Sequence, residues 1–282
     1  MKQITFDELL SIGFSKTNKH FWYLFLAYSL SAIAIIFLNI FSFYYEFKSF
    51  DLLNVAIILI IYVLSFLFFI YLDFCFTKTY LELMKDKKLK ILDFYKFQNY
   101  NFLKFLGVYF LSFIIITTPI VLGFLLIAMF ILFEKLGLVL QIVFIILTII
   151  IFLILTIFLA VKLSFAKFYV LTDKNSSIID SIKKSFKTTK GYSWKIFFVD
   201  LFFLFLAYAC FFIFSFLYIF LTIISLENLF IWPFLNVYSF LVLFFYFFIV
   251  LGIFLYFNSA NNFAIVHLFN IMKHEKREQK KD

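Results

Sequence analysis

Three charged residues stand inside or beside long apolar runs and are the first candidates for a polar site: Asp73, Asp200 and Lys195. Asp200 follows Trp194 by six residues, which is roughly 9 Å of helix rise. If these runs cross a membrane, both carboxylates are expected near the cytoplasmic surface. Two interpretations remain open. The carboxylates form ion pairs or hydrogen bonds between helices, with nearby lysines as partners, or they form a functional polar site at the cytoplasmic mouth of a bundle.

The sequence holds none of the patterns that usually carry catalysis or cofactor binding. It contains no P-loop, GxGxxG, HExxH or GxSxG motif. The histidines His20, His267 and His274 lack metal-ligand spacing, and Cys75 and Cys210 form no CxxC or Cys/His cluster. We therefore expect no cofactor and no metal site, and we predict that the protein is not an enzyme.

The composition indicates a chain that is surrounded by lipid. Of 282 residues, 65% are hydrophobic and 25% are aromatic. A soluble domain of this size could not bury so much apolar surface. The net charge of +9 comes from lysines that lie beside the apolar runs. We therefore expect the partner of these lysines to be a bilayer with anionic lipids rather than nucleic acid.

Six apolar runs reach the length of about 20 residues that a membrane-spanning helix requires. They are Phe21–Phe43, Leu52–Phe76, Phe105–Phe133, Leu136–Val161, Ile196–Ser225 and Leu229–Phe257. The central thirds of these runs lack Asp, Glu, Lys, Arg and His. Ion-coupled transporters usually carry ionisable residues at that depth. The predicted fold class is all-α, an integral-membrane six-helix bundle.

The charges between the runs predict how the chain is oriented. Of the 25 lysines and arginines, 23 lie in the N-terminus, the segments 77–104 and 162–195, and the tail after residue 270. Basic connecting segments stay on the cytoplasmic side of the membrane. Both termini are therefore predicted to be cytoplasmic, in a multi-pass protein of the bacterial inner membrane.

Three segments share a pattern that predicts an internal repeat. An apolar residue precedes Asp7, Asp93 and Asp180, and an Asp-Lys pair begins seven residues before the second and third of these, at Asp86 and Asp173. Each unit is predicted to be an amphipathic interfacial helix followed by a transmembrane hairpin. The predicted units are 5–90, 91–177 and 178–270 of a single membrane domain, 1–270, which a basic cytoplasmic tail, 271–282, follows.

The third amphipathic segment is predicted to lie in the membrane interface. Ser177 and Asp180 predict its N-terminal cap, and Gly191 predicts its end. Its apolar stripe is predicted to consist of Ile179, Ile182 and Phe186. The predicted interfacial anchors are Trp194, Lys183, Lys184, Lys187 and Lys190. The alternative is a packed cytoplasmic loop helix with one solvated face.

The first amphipathic segment follows the same physical pattern. Thr5 and Glu8 predict a capping box, because a Thr hydroxyl can accept from the backbone N–H three residues later. The apolar residues that follow have helical spacing along one face. They are Phe6, Leu9, Leu10, Gly13 and Phe14.

The stretch from Ser185 to Phe203 carries the pattern S-x-x-x-x-K-G-x-x-W-K-x-F-x-x-D-L-x-F. It resembles a family of uncharacterised bacterial multi-spanning membrane proteins, a domain of unknown function related to the membrane domain of some glycerophosphodiester phosphodiesterases. The resemblance implies a six-helix bacterial membrane domain. It does not imply phosphodiesterase activity, because the catalytic domain of those enzymes is soluble and has no counterpart in this sequence.

These observations favour a non-catalytic membrane protein that organises lipid or binds partner proteins through its cytoplasmic helices. The apolar centres of the spans and the basic cytoplasmic segments support this hypothesis. The alternative is a permease-like membrane subunit of a transporter, whose cytoplasmic helices would dock on an ATPase partner. An intramembrane enzyme is a third alternative.

Overall fold

The computed structural model describes residues 4–46, 52–95, 99–132, 138–173, 175–227 and 232–278. Within these residues the chain is helical and contains no strand. The helices are α1 (Phe6–Glu46), α2 (Leu52–Leu83), α3 (Ile91–Phe94), α4 (Asn99–Leu132), α5 (Leu138–Leu163), α6 (Ala166–Thr172), α7 (Ile178–Thr189), α8 (Ser193–Glu227) and α9 (Trp232–Glu278). The predicted all-helical fold class is confirmed for this part of the chain.

Five helical stretches are long and apolar enough to cross a membrane. They are Asn54–Leu83, Phe102–Ile131, Val139–Thr172, Ser193–Phe216 and Ile249–His274. In the most apolar of them, Val139–Thr172, only 6% of the residues in the most apolar part are buried within the protein, so most of its apolar side chains face outward. The predicted first span, Phe21–Phe43, lies in α1, and its side chains from residue 35 onward fall outside the described residues. The presence of six membrane-spanning helices therefore stays a prediction.

The long helices extend beyond the thickness of a bilayer. α1 contains 41 residues and α9 contains 47, which correspond to about 62 and about 70 Å at about 1.5 Å per residue. A hydrocarbon core of about 30 Å needs about 20 residues. The first amphipathic segment is thus the beginning of α1, on the same axis as the predicted first span, and not a separate interfacial helix.

The three predicted amphipathic segments take three different forms. The first is fused to its span in α1, the second has only the four residues of α3, and the third is the separate twelve-residue α7. α7 ends at Thr189, and Gly191 has a φ of +92°, a backbone conformation that glycine adopts without steric cost. The prediction that Gly191 ends this helix is confirmed.

Both predicted N-terminal caps are present. The Thr5 hydroxyl accepts a hydrogen bond from the Glu8 backbone N–H at 3.2 Å, and the Ser177 hydroxyl accepts one from the Asp180 backbone N–H at 3.1 Å. Such a cap satisfies one of the backbone donors that a helix leaves open at its first turn.

The chain forms two compact units that alternate along the sequence. Unit 1 comprises residues 1–65, 82–94 and 198–271, and unit 2 comprises 66–81, 95–197 and 272–282. α2, α8 and α9 each contribute residues to both units. The predicted single membrane domain over 1–270 and its three repeat units stay predictions.

In unit 1, the beginning of α1 packs against α8 and α9. Leu9 is fully buried, and the Phe14 ring contacts the Phe203 ring at 5.3 Å between centroids. An added Cβ on Gly13 would lie 2.6 Å from the Ala260 carbonyl oxygen. The missing side chain therefore allows α1 and α9 to approach closely, and the predicted apolar face of α1 is confirmed as a packing face within the protein.

In unit 2, α7 docks on the ends of neighbouring helices. The Ile178 side chain packs directly on Gly107 of α4. One turn earlier in α4, the Lys104 ammonium donates a hydrogen bond to the Ser176 carbonyl oxygen at 3.1 Å. These contacts fix the position at which α7 begins.

Gly13→Ala is expected to destabilise unit 1 by about 1–3 kcal/mol, because overpacking against a backbone oxygen forces the two helices apart. Gly252→Ala in α9 is the matched control. Its added Cβ would lie 3.7 Å from the Phe25 ring, an ordinary contact, and alanine improves helix propensity by about 1 kcal/mol. Thermal unfolding of both variants in detergent measures the difference. Equal midpoints would contradict the close α1–α9 contact.

Candidate functional site

A cluster of charged groups lies in unit 2 where α6 ends, and we call it the Asp173 cluster. Asp173 follows the last residue of α6. Its Oδ1 accepts a hydrogen bond from the Lys273 ammonium at 2.6 Å, and its Oδ2 accepts one from the Lys184 ammonium at 3.0 Å. Lys273 also donates to the Thr172 hydroxyl at 2.6 Å. One carboxylate therefore ties the end of α6 to α7 and to the C-terminal part of α9.

Tyr169 forms the floor of the Asp173 cluster. Its ring is 5% exposed, and the ammonium groups of Lys184 and Lys273 lie 6.0 and 5.9 Å from the ring centroid. Its hydroxyl shares a hydrogen bond of 2.6 Å with the Thr188 hydroxyl. The ring face attracts both cations, at about 0.5–1 kcal/mol each for exposed pairs. The two lysines are thus held by a carboxylate and by an aromatic face.

The Asp173 cluster has a net charge of +1, because two lysines meet one aspartate. Burial by itself raises the pKa of Asp173, but the hydrogen bonds from Lys273 and Lys184 outweigh burial, and the pKa lies below its usual value. Asp173 is therefore ionised at neutral pH. The side chain of Lys273 is only 15% exposed, whereas that of Lys184 is 45% exposed.

α7 packs on the protein through a face that is mostly polar. The buried residues are Ser181, Ile182, Ser185, Thr188 and Thr189. The Ser185 hydroxyl donates to the Lys162 carbonyl at 2.7 Å and accepts from the Phe165 backbone N–H at 3.2 Å. The polar face was not predicted from the sequence, because the prediction for this segment rested on the spacing of its apolar residues. The spacing of the Ser and Thr residues, at steps of three and four, was the available signal.

The predicted apolar stripe of α7 is split by this packing. Ile182 is 8% exposed and belongs to the docked face, whereas Ile179 is 57% exposed. Phe186 is half-buried. α7 is therefore a helix that packs on the protein and has exposed lysines, and its predicted location in the membrane interface stays a prediction.

The predicted anchors differ in what they contact. Trp194, in the first turn of α8, is 72% exposed. Lys183, Lys187 and Lys190 are exposed as well. Lys184 is bound to Asp173. Lys184 therefore holds the helix in place, while the other three lysines remain on the outer surface of α7.

The predicted polar site at the cytoplasmic mouth involves residues of both units. In unit 2, Asp73 pairs with the Lys167 ammonium at 3.2 Å, and the Lys195 ammonium lies 5.7 Å over the Tyr192 ring. In unit 1, Asp200 accepts a hydrogen bond from the Asn261 amide at 2.8 Å. A site that joins Asp73, Asp200 and Lys195 stays a prediction.

Asp86, in unit 1, belongs to the other Asp-Lys pair of the sequence. It receives hydrogen bonds from the ammonium groups of Lys19 at 2.6 Å and Lys16 at 3.0 Å. The hydrogen bond from Lys19, followed by that from Lys16, lowers the pKa of Asp86 to about 2. Its side chain is 55% exposed, so water screens these pairs more than those of Asp173. Among the side chains that the structure describes, no group of three His, Cys, Asp or Glu could hold a metal ion.

Lys273→Gln is expected to destabilise unit 2 by about 1–3 kcal/mol, because it removes two hydrogen bonds and leaves a half-buried carboxylate with one cation. Lys184→Gln is the matched control, and we expect a smaller loss because its ammonium is more exposed to water. Thermal unfolding in detergent measures both. A larger loss for Lys184→Gln than for Lys273→Gln would contradict this ranking.

Comparisons with known proteins assign no family to this chain. It matches no protein-family model, no curated protein and no solved structure. The resemblance of the stretch from Ser185 to Phe203 to a family of bacterial membrane proteins stays a prediction, and a function has to be argued from the contacts and charges described above.

Proposed function

We propose that this chain is a six-span protein of the bacterial inner membrane, with both termini in the cytoplasm. In this proposal it is a non-catalytic scaffold that binds anionic lipid and holds partner proteins at the cytoplasmic surface. The observation that carries the proposal is α7, a helix fixed to the ends of membrane-crossing candidates with three lysines on its outer side.

The fixed position of α7 supports a role in surface binding. Hydrogen bonds of Ser185, Lys104 and Asp173 hold the helix to α4, α5 and α6. Lys187 and Lys190 are exposed, and Trp194 follows after the turn at Gly191. Tryptophan prefers the depth of lipid headgroups, and each lysine near an anionic membrane surface contributes about 1 kcal/mol of attraction. A rigid helix presents these groups without the entropic cost of ordering them.

Two equivalent contacts support the repeat. In unit 1, Lys16 and Lys19, near the beginning of the first helix of a hairpin, bind Asp86 after its second helix. In unit 2, Lys104, near the beginning of α4, binds the Ser176 carbonyl, three residues after Asp173. Each contact closes the cytoplasmic end of a hairpin with a lysine, as a repeated unit would.

Cysteine labelling tests the proposed orientation. In a variant with Cys75 and Cys210 replaced by alanine, single cysteines at positions 87, 183 and 276 are expected to react only after the inner membrane is made permeable. A single cysteine at position 227 is expected to react from outside, because it lies beyond the fifth predicted span. Labelling of positions 87 and 183 from opposite sides would overturn the proposal.

Retention of anionic lipid tests the proposed binding surface. We expect the double variant Lys187→Gln with Lys190→Gln to retain about 30-fold less phosphatidylglycerol after detergent purification, because two lysines contribute about 1 kcal/mol each. The matched control replaces both lysines by arginine and keeps the charge. Mass spectrometry of the purified proteins measures the bound lipid, and it also detects copurified proteins. Equal retention in the two double variants would contradict a lipid scaffold, and a stoichiometric ATP-binding subunit would favour the permease-like alternative.

A further inference from the structure

A polar cleft of about 560 Å³ opens at the beginning of α7. Its lining residues are Asp173, Asn175, Ser176, Asp180, Lys183 and Lys184. All six are polar or charged, and the acids and the lysines are equal in number. The cleft begins directly after Thr172, the last residue of the membrane-crossing candidate Val139–Thr172. If this stretch crosses the bilayer, the cleft lies at its polar end, outside the hydrocarbon core.

Four charged residues line the cleft, and only two of them, Asp173 and Lys184, form an ion pair with each other. Asp173 and Lys184 bind each other, and Asp173 also binds Lys273. Asp180 and Lys183 are three residues apart on α7, and both are exposed. One Asp180 oxygen accepts from the Ser177 hydroxyl at 2.7 Å. Among the described residues, none forms a hydrogen bond with the Lys183 ammonium. A carboxylate and an ammonium thus remain accessible side by side.

We infer that this cleft binds the headgroup of a zwitterionic aminophospholipid, with its phosphate on Lys183 and its ammonium on Asp180. Residues three apart on a helix have Cβ atoms about 5–6 Å from each other, and the two charges of such a headgroup are separated by a similar short linker. A simple anion on Lys183 would face the Asp180 carboxylate, and a simple cation on Asp180 would face Lys183. A ligand that carries both charges avoids either repulsion.

The flank of α7 gives the lipid an apolar neighbour. Ile179, between the cap of α7 and Asp180, is 57% exposed. An exposed apolar side chain next in sequence to Asp180 is compatible with the acyl chain of a lipid whose headgroup binds there. Asn175 is also exposed at the cleft, and its amide is a further donor for a phosphate oxygen. The inference rests on the proposed membrane location of the chain and adds a selective site to it.

Lipid competition in nanodiscs tests this site. The full chain is incorporated into nanodiscs with equal amounts of phosphatidylethanolamine and phosphatidylcholine, and mass spectrometry counts the lipids that stay bound after extraction into mild detergent. The trimethylated ammonium of phosphatidylcholine cannot donate a hydrogen bond to Asp180. We expect retention of phosphatidylethanolamine to exceed that of phosphatidylcholine by about tenfold, as the loss of one charge-assisted hydrogen bond implies.

Two cleft variants and one control assign the preference to the cleft. Asp180→Asn is expected to reduce the preference to less than twofold. Lys183→Gln loses the phosphate contact that both lipids share, so it is expected to lower the retention of both lipids by about tenfold. Asp180 also contributes to the cap of α7, whereas none of the described residues forms a hydrogen bond with the Lys183 ammonium, so Lys183→Gln remains informative if Asp180→Asn fails to fold. The control is Lys88→Gln, which replaces an exposed lysine of unit 1 that does not line the cleft and is expected to keep both the retention and the preference.

Three outcomes would overturn the inference. They are equal retention of the two lipids by the unmodified chain, unchanged retention of both lipids in Lys183→Gln, and stronger retention of phosphatidylglycerol in Asp180→Asn, which would identify a site for anions only. Each leaves the orientation test and the lysine-dependent retention of phosphatidylglycerol unaffected, so it is distinct from a failure of the proposed function. Labelling of positions 87 and 183 from opposite sides of the membrane would overturn both the proposed function and this inference.

Discussion

The docking of α7 in unit 2 depends on the neutralisation of one carboxylate. Asp173 brings a negative charge to a half-buried position, and Lys273 and Lys184 compensate it from two different helices. The side chain of Lys273 is mostly buried, so its charge would be costly without Asp173. Because each ion requires the others, the end of α6, the middle of α7 and the C-terminal part of α9 are joined at this point. Together with the contacts of Ser185 and Lys104, this junction holds the helix that carries the exposed lysines.

The Ser and Thr residues of α7 complete this junction in a way that apolar packing could not. At the C-terminal end of a helix such as α5, backbone carbonyl groups lack partners from a following helical turn. The hydroxyl of Ser185 donates to one such group, that of Lys162 near the end of α5, and accepts from the Phe165 N–H in the following turn. A leucine at this position would bury two polar backbone groups without partners. The polar face of α7 is thus a consequence of where it docks.

The parts of the fold that local physics determines could be predicted from the sequence. The helical class, the caps at Thr5 and Ser177 and the end of α7 at Gly191 depend on residues within one or two turns, and the structure contains all of them. The role of Gly13, by contrast, could not be predicted from its neighbours in the sequence. Like Gly191 it lies near the end of an amphipathic segment, yet it stays helical, and Ala260, almost 250 residues later, packs against it. Only the tertiary contact distinguishes a glycine that ends a helix from one that allows a close approach.

The partners of the charged residues were beyond prediction for the same reason. The sequence identified Asp73, Asp200 and the two Asp-Lys pairs, but many lysines were available to each acid. Which lysine reaches a given carboxylate depends on the rotation of helices that are separated by tens of residues. The exposed apolar surface of the membrane-crossing candidates has no such ambiguity, because almost every residue there is apolar and any rotation presents a similar surface to lipid. Selective contacts are therefore concentrated at the polar ends of these helices, and a ligand that the protein distinguishes from bulk lipid has to be recognised there.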